Sequence, residues 1–209
     1  MNAQTSLVEQ LLSQLQGAPI AKIASELGIN QQQTESAVSA AIPMLMGMLG
    51  NNASQAQGAS DLFGALMKDH APAQAQGFGG DALGSVLGSV LGGGAGGNIG
   101  SAILGHILGG QQQQAQSSLG QASGLGGVNA AQILQILAPI VMSFLANKVQ
   151  ANNLDAGGLG RVLQGEAQQV QQQGGLASSL LTSVLDQNGD GKLDLGDVLK
   201  FGASFLNRR

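Results

Sequence analysis

No stretch of this chain alternates apolar and polar residues long enough to build a half-buried strand, whereas apolar residues recur at intervals of three and four. That spacing lines one face of an α-helix. The sequence therefore predicts an all-α fold. The expected architecture is small helical bundles with a glycine-rich middle segment and a C-terminal EF-hand-like helix–loop–helix.

The N-terminal part reads as three helices. Ser6 with Glu9 has the spacing of a capping box, and Leu7, Leu11, Leu12 and Leu15 form one stripe before Gly17. Pro19 suits a first helical turn, Ile20, Ile23, Ala24 and Leu27 make the second stripe, and Gly28 stops it. Asn30 with Gln33 opens a third helix, which Pro43 is expected to bend or break and Gly50 to close. Residues 51–60 read as loop, Asp61 as the cap of a short helix over Leu62, Phe63, Leu66 and Met67, and residues 71–80 as linker.

The middle has a four-residue period. Gly80, Gly84, Gly88, Gly92, Gly96 and Gly100 repeat beside Leu83, Leu87 and Leu91, a glycine stripe next to a leucine stripe on a helix. Residues 111–123, rich in Gln and Ser, read as a polar spacer. Beyond them the N-terminal pattern returns. Asn129 with Gln132 mirrors Asn30 with Gln33, and Leu137 to Met142 mirrors Ala41 to Met46 around Pro139 and Pro43. The cap-to-proline spacings differ by three residues, which makes the repeat weak. Asp155 begins a glycine-rich turn into a helix with Val162 and Leu163, and the Gln-rich run 168–173 leads to Leu176, Leu180, Leu181, Val184 and Leu185. The expected segments are 1–70, an N-terminal helical domain; 71–123, the glycine- and glutamine-rich middle; 124–173, a second helical repeat; and 174–209, a calcium-binding tail.

Composition bounds the core. The chain has 209 residues, 43% of them hydrophobic, yet no Trp or Tyr, 5 Phe and 34 Gly. Aromatic side chains dominate burial in most cores, so small helical cores are expected. Only 10% of residues are charged, and the net charge is −4. Asp186, Asp190, Asp194 and Asp197 supply four negative charges, and the other eight acidic residues balance the eight basic ones. No basic face suited to nucleic acid is present. Without cysteine, neither a disulfide nor a thiolate site can form. The N-terminus lacks the basic and apolar regions of a cleaved signal, so a cytoplasmic location is the default expectation, with signal-independent export as the alternative.

Residues 186–197, D-Q-N-G-D-G-K-L-D-L-G-D, carry the most specific motif. Calcium takes six to eight hard oxygen ligands from a loop that wraps it. The twelve-residue solution uses side chains at positions 1, 3 and 5, glycine at the sharp turn at 6, a backbone carbonyl at 7, and carboxylate or water ligands at 9 and 12. Here those ligands are Asp186, Asn188, Asp190, Lys192 through its carbonyl, Asp194 and Asp197, with Gly191 at the turn and Leu193 as the anchor to the core. A leucine-rich segment enters, and one with Phe201 and Phe205 leaves. Four carboxylates in so short a span repel one another without a cation. Asp197 replaces the usual glutamate at position 12. Its shorter reach predicts weak binding, on the order of micromolar to millimolar, and reduced selectivity against magnesium. Calcium is the expected cofactor, and it is expected to order residues 176–207.

Other motifs are less specific. Residues 20–42 have helix-turn-helix spacing, but Gln31 to Ile42 contains Glu35 and no Lys or Arg. Gly92, Gly94 and Gly97 match a dinucleotide fingerprint with no strand before them. His70 and His106 lack acidic partners in register, and no nucleophile, base and orienter can be assembled. The expectation is a non-enzyme.

The runs LGINQQQTESAVSAAIPMLMGML, ILGHILGG and NAAQILQILAPIVMSFLANK resemble the YidB-like bacterial family of unknown function. The resemblance covers most of residues 5–165. It implies an all-helical fold with a homeodomain-like arrangement near the N-terminus, and it brings no activity, substrate or catalytic residue. The acidic loop separately resembles the EF-hand pattern, and its Asp197 variant resembles dockerin loops.

The reading is a calcium-binding structural or interaction protein, with calcium as its ligand and its protein partner unidentified. The second reading is self-assembly or membrane association through the glycine stripe in 80–109. That run is long enough to span a bilayer, but its glycines dilute its hydrophobicity and no interfacial aromatic or basic belt flanks it. A DNA-binding role fails on charge.

Overall fold

A computed structural model of the chain describes residues 6–68 and 96–173, and every regular element in them is helical. The first four helices are α1 (Leu7–Leu15), α2 (Ala18–Leu27), α3 (Gln31–Ala53) and α4 (Ala56–Lys68). After residue 95 follow α5 (Gly96–Leu108), a 3-10 turn at Gly109–Gln111, α6 (Gln112–Ser123), α7 (Gly127–Ala151) and α8 (Ala156–Gln173). The all-α expectation holds for the described residues.

The sequence signals act where they were expected at the N-terminus. Glu9 N–H donates to Ser6 Oγ at 3.1 Å, and Ser6 N–H donates to Glu9 Oε2 at 3.2 Å, completing the capping box of α1. Gln33 N–H donates to Asn30 Oδ1 at 2.7 Å at the start of α3. Gly28 ends α2 with φ 64°, a left-handed conformation that glycine adopts without a Cβ penalty. Asp155 Oδ1 accepts from Gly158 N–H at 2.6 Å and starts α8.

Six local expectations are corrected. Pro43 does not break α3, which runs unbroken to Ala53, and Gly50 lies inside it. Proline removes one helical hydrogen bond. Residues 40–50, however, are buried on every side, and that surrounding packing holds the helix together. Only Ser54 and Gln55 separate α3 from α4, so residues 51–60 are mainly helical. Asp61 sits within α4, where its Oδ1 accepts from Gln57 Nε2 at 2.9 Å, and does not cap it. The polar spacer is α6: glutamine is a good helix former, and Ala115, Leu119 and Ser123 form its buried stripe. Asn129 is not the cap of α7, since the helix begins two residues earlier with Gly126 at the N-cap.

The long helices α3 and α7 form the centre. α3 packs against α8, α7, α6 and α4, while α5 and α6 cover α7. Leucines from α1, methionines from α3, Leu104 of α5 and Phe144 of α7 share one continuous hydrophobic cluster. Residues from three of the four expected segments, 1–70, 71–123 and 124–173, thus contribute to a single core; the segment 174–209 lies outside the described residues.

Glycine sets the closest crossings. A Cβ on Gly50 would lie 2.5 Å from the Leu163 carbonyl oxygen, so α3 and α8 meet backbone to backbone. A Cβ on Gly100 would lie 2.3 Å from the Gln135 carbonyl oxygen. Gln135 is four residues before Pro139, which has no N–H to offer that carbonyl. The backbone of α5 lies against the carbonyl that proline deprives of its helical donor. At this position the glycine stripe is a close-packing device.

Gln111 carries a buried Nε2 with no partner, unlike the other buried side-chain polar atoms of the described residues. Leaving such a donor unmade costs about 1–3 kcal/mol. Gln111→Leu is therefore expected to raise stability by about 1 kcal/mol, read as an increased midpoint in urea denaturation.

Candidate functional site

The six expected calcium ligands, Asp186, Asn188, Asp190, Lys192, Asp194 and Asp197, lie outside the described residues, as does His70. Among the described residues no three His, Cys, Asp or Glu side chains gather to hold a metal.

The polar centre that the structure does describe joins α1 to the C-terminal helices. Glu166 of α8 is buried, 9% exposed. Its Oε1 accepts from Leu7 N–H at 2.9 Å and its Oε2 from Val8 N–H at 3.4 Å. Those amides belong to the first turn of α1, which has no helical acceptors for them. A carboxylate there also faces the positive end of the helix dipole. Ser6 and Glu9 complete the same helix end from within α1, so two acidic side chains serve it, one local and one 159 residues away in sequence.

One turn further along α1, Lys148 of α7 donates from Nζ to Gln10 Oε1. The same ammonium stands 5.4 Å from the centroid of the Phe144 ring, within cation–π range. Glu166 and Lys148 therefore fasten α1 at two levels, while Leu11 and Leu15 on its inner face are fully buried. Both carboxylate oxygens of Glu166 point at backbone amides, and the group's chemistry is that of a helix clamp. Sequence reasoning did not single out Glu166 or Lys148. A lone Glu in a Gln-rich helix carries no signal of a partner so distant in the chain.

The residues with helix-turn-helix spacing form α2 and the start of α3. Gln31, Gln32, Glu35, Ser36 and Ser39 are exposed on the first turns of α3, and no Lys or Arg lies anywhere on that helix. Only α7, among the described residues, is long and apolar enough to cross a membrane. Of its most apolar stretch, 67% is buried against other helices, the situation of a central bundle helix.

A family model described as a bacterial protein of unknown function, DUF937, matches residues 9–148. No curated protein and no solved structure matches the chain.

Proposed function

Since the chain belongs to the DUF937 family of bacterial proteins, we propose that it is a non-enzymatic helical scaffold of the YidB-like kind, to which a calcium-binding helix–loop–helix is appended. The observation that carries this reading is the spacing of oxygen donors in residues 186–197, with glycine at the turn and an apolar anchor after it. The family match ends at residue 148, and the acidic loop lies beyond it. The clamped body, sparse in charged residues, supports a role as a platform. The local concentration of aspartates supports a cation as the ligand of the tail. Calcium then regulates how the tail presents itself to a protein partner or to a second copy of the chain.

Calcium titration followed by amide hydrogen exchange tests the proposal. Protection across residues 176–207 should rise with a midpoint on the order of micromolar to millimolar, and the double variant Asp186→Ala with Asp190→Ala should abolish the rise. Unchanged exchange at millimolar calcium in the parent chain would show that the loop is only an acidic turn. Light scattering with calcium and with chelator then reports whether the assembly state follows the ion.

A further inference from the structure

We infer that α1 is an exchangeable arm, and that two copies of the chain pair by each docking its α1 in the seat of the other. Arm and seat meet across a wide gap in sequence. Glu166, which accepts from Leu7 N–H, lies 159 residues away, and Lys148, which donates to Gln10, lies 138 residues away. α1 packs more on α3 than on α2, the helix to which it is tethered. Leu11 and Leu15 are fully buried, and Leu7 and Val8 nearly so. The seat is thus made by α3, α7 and α8, and an α1 from another copy makes the same contacts with it.

The tether leaves the arm free to swing. Only Gln16 and Gly17 separate α1 from α2, and both are exposed. The backbone hydrogen bonds beside them stay within their own helices. Gln16 N–H donates to the Leu12 carbonyl at 3.1 Å, and Ala21 N–H donates to the Gly17 carbonyl at 3.1 Å. A Cβ on Gly17 would meet nothing within 4 Å, so no side chain or backbone presses on the turn. Its closed shape rests on the φ of 83° and ψ of −121° at Gly17, a conformation that L side chains rarely adopt. Pro19 keeps the opened turn from fusing α1 and α2 into one helix, because its ring would meet the Leu15 carbonyl.

The occupant that fits the seat is a second α1. It carries its own capping box, so a donated arm brings its helix start with it. Neither an undocked arm nor an empty seat is stable in water. Nine residues are too few to persist as an isolated helix, and the seat would expose core. Another α1 matches the seat both in its leucine face and in the first-turn amides that Glu166 accepts from. Reciprocal exchange fills both seats and closes with two-fold symmetry, and short hinges favour it.

Light scattering on the full chain tests the exchange, with chelator present so that calcium-driven assembly makes no contribution. Gly17→Ala strains the closed turn and not the open one, and each dimer relieves two turns. The dimer dissociation constant is expected to fall by roughly a hundredfold from that of the parent, with helicity retained. Gln16→Ala, at a position with an ordinary φ of −60°, should leave it unchanged. A mixing experiment identifies the surface used. Leu11→Asp spoils the arm and keeps the seat, whereas Glu166→Lys spoils the seat and keeps the arm. The two variants together should form a 1:1 heterodimer, and neither should pair alone. A folded Gly17→Ala chain no more dimeric than the parent would overturn the exchange. So would a mixture that yields no heterodimer, and this second result decides the matter if Gly17→Ala does not fold.

Discussion

Replacing Glu166 by alanine is expected to destabilise the folded chain by about 3 kcal/mol and to loosen α1 before anything else. The variant removes the acceptor of both Leu7 N–H and Val8 N–H, in a place where water has little access. Each buried donor left unmade costs about 1–3 kcal/mol, and the lost dipole interaction adds to that. α1 has nine residues, too few to persist as an isolated helix in water. Its leucines keep their hydrophobic drive to remain docked, so its amides should exchange faster while the helix stays associated. Glu166→Gln keeps one acceptor oxygen and should fall between the parent and the alanine variant. Urea denaturation gives the magnitude, and hydrogen exchange locates the effect in residues 7–15. A Glu166→Ala chain with parental stability and unchanged exchange there would refute the clamp.

Gly100→Ala is expected to destabilise by about 2 kcal/mol, against the usual benefit of removing a helical glycine. Alanine is favoured over glycine inside a helix by about 1 kcal/mol. Here the added methyl would stand 2.3 Å from the Gln135 carbonyl oxygen, which is backbone and cannot swing aside. α5 must back away from α7, and the loss of packing along that crossing exceeds the propensity gain. Gly105→Ala supplies the comparison within the same helix. Its Cβ meets nothing within 4 Å, so that change should stabilise by up to about 1 kcal/mol. Opposite signs in a thermal or urea melt confirm that the crossing, and not helix propensity, selects glycine at 100.

Much of the local structure was legible in the residues. Ser6 with Glu9, Asn30 with Gln33, and Gly28 are decided within four positions of chain, and local geometry is what a sequence pattern encodes. The failures have more than one cause. Burial by distant segments overrides the helix-breaking tendency of Pro43, whereas the run 112–123 is helical by glutamine's own propensity together with its buried stripe. The start of α7 was misplaced because an asparagine with a glutamine three residues later imitates a cap, whereas the real one is a glycine with no side-chain signal. Of the expected ligand loop, the residue spacing is a property of the sequence, and its residues fall outside those the structure describes.

The helical periodicity by itself determined that the described chain is all-α, and the short-range caps determined where most of its early helices begin and end. Periodicity has that power because a 3.6-residue repeat of apolar side chains is compatible with a buried face only in a helix. Which helices touch, why Gly50 and Gly100 must be small, and why Glu166 is buried were decided only by the tertiary structure. Each depends on groups brought together from separate helices. A one-dimensional pattern carries no distance between segments that far apart, and it is the packing of α3 and α7 that creates those distances.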